Sequence, residues 1–161
     1  MTLYHGSLDI VSAPEIRPAD RTLDYGVGFY TTTSLQQATM WVKRKMQERK
    51  AQKGYVNYYD LDLTKRPNLS VLRFETPTEE WLDFVMRNRM NKNFQHSFDI
   101  VYGPVANDKV YASFALYEGG LLSKQNLIAE LKTYILVDQY LFHTEQSLEC
   151  LSFIKAQEIS L

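Results

Sequence analysis

The sequence predicts a single α+β domain. Short runs rich in β-branched and aromatic residues, such as 28–33, alternate with longer runs that have helical hydrophobic spacing, such as 35–51. The connections are irregular and no βαβ unit repeats, which favours α+β over a doubly wound parallel sheet. At 161 residues, with 45% hydrophobic and 23% charged residues, the chain fits one ordinary domain. We therefore treat residues 1–161 as one domain.

Charge and cysteine content narrow the class of protein. The formal net charge is -1, from 18 Lys plus Arg and 19 Asp plus Glu, so no global field attracts nucleic acid or an anionic membrane. The one cysteine, Cys150, cannot close an internal disulfide, and no signal-peptide pattern is present. No apolar stretch approaches the roughly 18 residues that span a bilayer. We expect a soluble, cytoplasmic protein with no membrane partner.

The first third of the chain predicts a strand, a loop, a strand, a helix and a strand. "TLYHG" indicates a short strand that ends at Gly6, and 13–25 is loop-like. "GFYTTT" is strand-like, after which Ser34 and Gln37 form an S-x-x-Q capping box. Helical spacing then continues to about Ala51, and "KGYVNYYDLDL" is a tyrosine-rich strand entered through Gly54.

The remaining two thirds of the sequence predict further helices and strands. In "TPTEEWLDFVMRNRM" we expect Thr76 to cap a helix, with Pro77 at its first position and Glu79 closing the box. The later expected elements are a strand in "FDIVYGP", a helix in "DKVYASFALYEGG", a helix capped by Ser123, a long strand in "YILVDQYLFH", a short helix capped by Thr144 and an edge strand in "SFIKAQEI".

Several common motifs are absent. Gly26 and Gly28 do not form a dinucleotide-binding fingerprint, because Thr31 stands where a third glycine belongs and the pair precedes a strand. No Gly-Lys-Ser/Thr loop occurs, and the three histidines lack the spacing of zinc ligands. We expect His96 to be solvated in a polar loop, and the basic run "KRKMQERKAQK" to be a solvated helix face.

Three segments together resemble the motifs of ADP-ribosyltransferases of the diphtheria-toxin and PARP type. They are "YHGS", "GVGFYTTTSLQQATMW" and "DQYLFHT", in the order and spacing of that family. The chain is also similar to a small bacterial family of PARP-like domains. The resemblance implies a single split-β-sheet ADP-ribosyltransferase-like domain with surrounding helices, with NAD as co-substrate and no metal.

The resemblance also implies roles for individual residues. His5 would bind the adenosine-side ribose, Gly6 would bind the nicotinamide carboxamide through its backbone, and Ser7 would support that pocket. Tyr30 and Trp41 would sandwich the nicotinamide ring, which suits a planar cationic leaving group. Two arginines of the first loop, Arg17 and Arg21, suit either the pyrophosphate or surface solubility.

Gln139 departs from the resembled pattern, which has a glutamate there. An amide accepts the same hydrogen bond but brings no charge to stabilise a developing cation. The chain would therefore transfer one ADP-ribose slowly, borrow a carboxylate such as Asp138 or Glu145, or only bind NAD. If the strand is regular, Asp138 points to the face opposite Gln139, which makes it a poor substitute.

Our leading hypothesis is an NAD-dependent mono-ADP-ribosyltransferase, with Gln139 as the third catalytic residue beside His5 and Tyr30. Its acceptor would be an unidentified protein or nucleic acid. By analogy with the resembled family it would act as a toxin or defence protein, with an antitoxin among its partners. The alternatives are a catalytically inactive module that binds NAD, ADP-ribose or a protein, and a transferase that modifies nucleic acid.

Overall fold

The computed structural model describes residues 1–19, 22–105, 108–134 and 136–161. Within these ranges the strands are β1 (Thr2–Ser7), β2 (Phe29–Thr31), β3 (Lys53–Leu61), β4 (Val71–Arg73), β5 (Ile100–Pro104), β6 (Asp138–Phe142) and β7 (Leu151–Ser160). The helices in the same ranges are α1 (Leu35–Arg49), α2 (Glu79–Met90), α3 (Asp108–Glu118), α4 (Lys124–Leu131) and α5 (Glu145–Leu148). A short 3-10 helix covers Leu63–Lys65.

The strands form two sheets that share a core. Their strand orders are β1-β3-β7 and β2-β6-β5-β4, and all pairs are antiparallel except the parallel pair β4 and β5. Both sheets contribute to the shared core, whose members include Leu3, Phe29, Tyr59, Ile100, Tyr140 and Phe142. α1 covers the outer face of the three-stranded sheet, and α2, α3 and α4 cover that of the four-stranded sheet. These layers confirm the α+β class.

An isolated bridge joins the two sheets. Tyr4 of β1 and Thr32, just after β2, exchange two backbone hydrogen bonds of 2.8 and 3.0 Å. Beyond this bridge β1 and β2 no longer pair, and the imidazole of His5 bonds the carbonyl oxygen of Tyr30 instead. The junction is therefore a place where strand edges open and a side chain replaces the backbone ladder.

The helix α1 begins as the sequence predicts and ends two residues earlier. Ser34 accepts a hydrogen bond from the amide of Gln37 at 3.1 Å, which confirms the predicted cap. Ala38, Val42 and Met46 recur every four residues and form the buried stripe that packs on Val56 of β3. The helix stops at Arg49 because Lys50 adopts a left-handed conformation, with φ of 53°.

The prediction that Thr76 caps the second helix is wrong. The cap is Thr78, whose hydroxyl oxygen accepts a hydrogen bond from the amide of Trp81 at 3.2 Å. Pro77 therefore precedes the cap instead of occupying the first helical position. The later start places the indole of Trp81 in the core, where it is fully buried, and leaves Glu79 at the positive end of the helix.

The C-terminal strands differ in length from the prediction. Of the run "YILVDQYLFH", which was expected to form one long strand, only Asp138–Phe142 is a strand among the described residues. The amide of Tyr134 bonds the carbonyl oxygen of Leu131 at the end of α4, and residue 135 lies outside the described residues. β4 was not predicted, because three residues are too few to show a strand period. β7 lies at the edge of its sheet, as the sequence predicts.

Candidate functional site

The junction between the sheets brings Gly6 and Tyr30 to one face. The bridged residues Tyr4 and Thr32 lie directly opposite each other, so their side chains share a face. Because side chains alternate along a strand, Gly6 and Tyr30, each two residues away, also belong to that face. It is the outer face, since Tyr4 packs against the residues buried under α1.

Gly6 lets α1 approach β1 closely. A Cβ atom at this position would lie 2.7 Å from the carbonyl oxygen of Ala38 and 2.7 Å from Cγ2 of Val42. Tyr4 directs its amide and carbonyl towards Thr32. Backbone groups alternate between the two edges of a strand, so Gly6 also directs its N–H and C=O away from β3 and into the opening.

Trp41 projects from α1 beside Gly6. Its Cδ1 atom lies 3.2 Å from the position that a Cβ atom on Gly6 would take, and the side chain is partly buried. Arg44 and Lys45 place their charged groups 4.8 and 4.9 Å from the centroid of the indole. The rim of the opening is thus aromatic and positively charged.

His5 is held as a neutral imidazole across the opening. Its Nδ1 lies 2.7 Å from the carbonyl oxygen of Tyr30, and since a carbonyl only accepts, Nδ1 carries the proton. The ring packs against Phe29 with centroids 4.3 Å apart. Burial lowers the pKa of His5, and the bond to Tyr30 opposes this only in part. Nε2 is therefore the acceptor atom of this ring.

The phenol of Tyr30 is fixed by the loop that precedes β2. Its hydroxyl donates to the carbonyl oxygen of Gly26 at 2.6 Å and accepts from the amide of Tyr25 at 3.1 Å. Burial raises the pKa of Tyr30 well above its ordinary value. Because both hydrogen-bonding capacities of the hydroxyl are used within the protein, this side chain offers a ligand its ring.

Gln139 lies on the same face of the neighbouring strand. Tyr30 pairs with Leu141 across β2 and β6, and Gln139 is two residues from Leu141. The side chain is nine-tenths buried, and its Nε2 donates to the carbonyl oxygen of Pro104 at 3.3 Å. This bond fixes the orientation of the amide, which makes Oε1 the acceptor atom.

Tyr25 connects Tyr30 to Gln139, and sequence analysis assigned it no role. Its hydroxyl donates to Pro104 O at 2.9 Å, accepts from the indole N–H of Trp81 at 2.8 Å and also contacts the Gln139 amide. Burial raises its pKa, so the phenol stays protonated. Stepwise hydrogen bonds therefore connect three segments distant in sequence, and we call them the hydrogen-bonded chain. His5 bonds the backbone carbonyl of Tyr30, the Tyr30 hydroxyl bonds the backbone amide of Tyr25, and the hydroxyl of Tyr25 shares the carbonyl oxygen of Pro104 with Gln139.

The other predicted residues are less closely associated with this chain. Ser7 lies on the same face of β1 as His5, opposite to that of Gly6, but its hydroxyl accepts from the amide of Asp9 at 3.2 Å. Arg17 is exposed, with its guanidinium 3.5 Å from the carboxylate of Glu15. Arg21 lies outside the described residues.

The two carboxylates considered as substitutes for a glutamate, those of Asp138 and Glu145, do not lie beside Gln139 on its face of the sheet. Asp138 accepts hydrogen bonds from the amide and the hydroxyl of Thr33, at 2.9 and 2.6 Å. It precedes Gln139 in β6 and so points to the opposite face, as expected. Glu145 is exposed in the first turn of α5, where it complements the helix dipole.

The prediction that His96 is solvated is wrong. The ring is partly buried, contacts Phe84, Phe98 and His143, and bonds the carbonyl oxygen of Tyr25 at 2.8 Å. Its polar sequence neighbours gave no indication of this, because each of these contacts except Phe98 comes from a distant part of the chain.

Asn57 is a second residue that sequence analysis missed. It is fully buried in β3 opposite His5, and its Nδ2 donates to the carbonyl oxygens of His5 and Asp9, both at 3.3 Å. Its Oδ1 accepts from the amide of Val11 at 2.9 Å. Asparagine is uncommon inside strands, which is a signal that could have identified it. It ties the loop after β1 to the strand that carries His5.

Among residues 1–19, 22–105, 108–134 and 136–161, no group of three or more His, Cys, Asp or Glu side chains is arranged to hold a metal ion. No helix in those ranges has the length and apolar character needed to cross a membrane.

These features define an α+β protein in which two helix-covered sheets share a core and open around a chain of polar aromatic residues. The model of a family described as Protein of unknown function (DUF3990) matches residues 1–153, and the chain belongs to that family. No curated protein and no solved structure matches the chain. The functional interpretation therefore depends on the residues themselves.

Proposed function

We propose that this protein is an NAD-dependent mono-ADP-ribosyltransferase of a single split-sheet domain. The observation that carries the proposal is the hydrogen-bonded chain that links His5, Tyr30 and Gln139 at the junction of the two sheets. These are the residues to which the sequence resemblance gives catalytic roles. Gly6 and Trp41, which the resemblance assigns to the nicotinamide, lie together beside the same opening.

Each group at the opening has a chemistry that suits one part of NAD. The backbone N–H and C=O of Gly6 can pair with the carboxamide, which has one donor and one acceptor side. The rings of Tyr30 and Trp41 offer faces for a planar pyridinium. Nε2 of the neutral His5 accepts from a ribose hydroxyl. Arg44 and Lys45 beside Trp41 supply positive charge near the pyrophosphate, which is the role that sequence analysis considered for Arg17.

The proposed reaction is dissociative. The bond between ribose C1 and the nicotinamide nitrogen breaks, its electron pair goes to the ring, and neutral nicotinamide leaves. The acceptor's nucleophile forms the new bond to C1, and its proton passes to solvent. Oε1 of Gln139 accepts from a ribose hydroxyl but adds no negative charge to the cationic transition state, so we expect slow transfer of one unit. The proposal also includes a macromolecular acceptor, a toxin or defence role and an antitoxin partner. These three parts are supported by the sequence resemblance alone.

Purified protein with NAD labelled in the adenosine moiety tests the proposal. We expect nicotinamide release and labelling of an acceptor in cell lysate. Trp41→Ala should reduce release about tenfold or more, because one aromatic face is lost, while Trp41→Phe should retain most of it. Denaturation curves of both variants establish that they are folded. Bound NAD without release or labelling by the wild-type protein would exclude the enzymatic function.

The alternative is an inactive module that binds NAD, ADP-ribose or a protein through the same opening. It is favoured by the uncharged Gln139, whose amide is already bonded to Pro104. Under this alternative the wild-type protein releases no nicotinamide, and Gln139→Glu raises release from zero. Loss of a measurable wild-type activity in Gln139→Ala would contradict it.

A further inference from the structure

The loop of residues 25–27, directly before β2, is held by three rings. Its three consecutive backbone carbonyls each accept a hydrogen bond from a different aromatic side chain. The bonds are His96 Nε2 to Tyr25 O (2.8 Å), Tyr30 Oη to Gly26 O (2.6 Å) and His143 Nδ1 to Val27 O (2.5 Å). The two imidazoles lie against each other with ring centroids 4.2 Å apart. Two imidazoles thus flank the bond that fixes Tyr30.

His96 can hold the loop only as a neutral ring. Its Nδ1 accepts a hydrogen bond from the amide of Phe98 at 3.2 Å, so the proton of the neutral ring is on Nε2 and points to Tyr25 O. A second proton would have to occupy Nδ1, where it would face the N–H of Phe98. The ring must then turn or move away, and the carbonyl of Tyr25 loses its donor.

His143 responds differently to protonation. Its Nδ1 donates to Val27 O, so a second proton goes to Nε2 and leaves this bond in place. A charged His143 repels a second charge on the adjacent ring. Burial and the charge of His143 both lower the pKa of His96, against the opposing effect of its bond to Tyr25.

The other charged groups around the two rings are few in the described chain. The carboxylate of Asp99 interacts with His143 and is bonded by Thr144 and Ser70. Lys92 lines the same cavity of about 140 Å³ as both imidazoles. Asp24, next to the loop, pairs with Arg89 at 3.3 Å. The cavity gives protons access to both rings.

We propose that His96 and His143 form a proton-sensitive clamp on residues 25–27, which positions Tyr30 while His96 is neutral and releases it when His96 is protonated. His143 keeps its bond in both states, and burial of His96, together with the charge of His143, lowers the pH of release. The clamp is independent of the proposed reaction, because its state is a property of the loop and is measured without NAD.

The test is an NMR titration of the full chain from about pH 8 to about pH 5, following the imidazole signals and the amides of Gly26 and Val27. We expect both amides to shift with the same midpoint as the His96 ring, below 6.5. His96→Gln, which keeps a donor and an acceptor without titrating, should abolish the transition. Its persistence in His96→Gln, or loop amides that do not follow the His96 ring, would overturn the proposal.

If His96→Gln fails to fold, a second variant tests the clamp. His143→Gln removes the neighbouring charge, so the midpoint of His96 and of the loop amides should rise. An unchanged or lowered midpoint would contradict the clamp. Tyr30→Phe serves as a matched control, since it removes the middle bond and leaves both imidazoles in place, so the transition of the His96 ring should persist.

Discussion

The contact between Gly103 and Tyr25 allows a quantitative test of the chain that ends at Gln139. A Cβ atom on Gly103 would lie 2.3 Å from the hydroxyl oxygen of Tyr25. The phenol is fully buried, so in Gly103→Ala the hydroxyl must move by about 1 Å to reach an ordinary contact distance. This breaks or weakens its bonds to Trp81 and Pro104. Overpacking and a buried N–H without a partner together cost about 2–6 kcal/mol.

Tyr25→Phe removes the atom that causes this clash. Alone it leaves the indole N–H of Trp81 unpaired, at a cost of about 1–3 kcal/mol. In this background the Cβ of Gly103→Ala would meet Cζ of the ring at 3.2 Å, which is tight but close to an ordinary contact. The second substitution should then add less than about 1 kcal/mol, so the two costs are not additive.

A double-mutant cycle measures this coupling. Urea denaturation of the wild type, both single variants and the double variant gives four free energies of unfolding, provided that the m-values agree. We expect the double variant to be more stable than the sum of the single costs predicts, by at least about 1 kcal/mol. Costs that add to within about 0.5 kcal/mol would refute the inferred geometry of Tyr25, Gly103 and Gln139.

Three further predictions follow from local geometry. Gly6→Ala should destabilise the protein by about 1–3 kcal/mol in thermal denaturation, because its Cβ would meet the backbone of Ala38 at 2.7 Å. Burial lowers the pKa of His5 below 6.5, so on acidification the unfolded chain binds a proton before the native chain does. The free energy of unfolding should therefore be largest above pH 6.5 and should fall as the pH decreases towards the native pKa. The fall should be less steep in His5→Asn. Thr78→Ala should cost about 1 kcal/mol of stability and Thr76→Ala only a few tenths, since only the former caps α2; equal losses would contradict the assignment.

The features predicted from sequence are those that neighbouring residues determine. The caps at Ser34, Ser123 and Thr144 were predicted correctly, because a capping side chain bonds an amide three residues ahead. The same rule failed at Thr76, because Glu79 stands where a capping box needs it for Thr76, whereas Trp81 takes that position for Thr78. The choice of Thr78 depends on burying Trp81 against α3 and the sheet, and no local signal contains that information.

The contacts that organise the candidate site join residues far apart in the chain. Tyr25 reaches Trp81 and Pro104, 56 and 79 residues away, and His96 reaches Tyr25 from 71 residues away. Hydrophobic periods and turn residues describe single elements, so they gave Tyr25 no role and left His96 in a solvated loop. The three ordered motifs are the sequence signal that relates distant positions, since they predict that His5, Tyr30 and Gln139 belong to one site, and that role stays a prediction.

The hydrogen bonds around position 139 give a physical reason for glutamine there. Its Nε2 donates to the carbonyl oxygen of Pro104, and the hydroxyl of Tyr25 donates to the same oxygen. A glutamate carboxylate at this position has no proton to donate and would repel the carbonyl oxygen of Pro104. The Tyr25 hydroxyl could turn to donate to the carboxylate, but Pro104 O would then lose both of its hydrogen-bond donors. A glutamate therefore requires a rearranged network and not a simple exchange of one atom. The side chain at position 139 is thus coupled to Tyr25 through the carbonyl oxygen of Pro104, so a substitution at either residue should disturb the hydrogen bonds of the other.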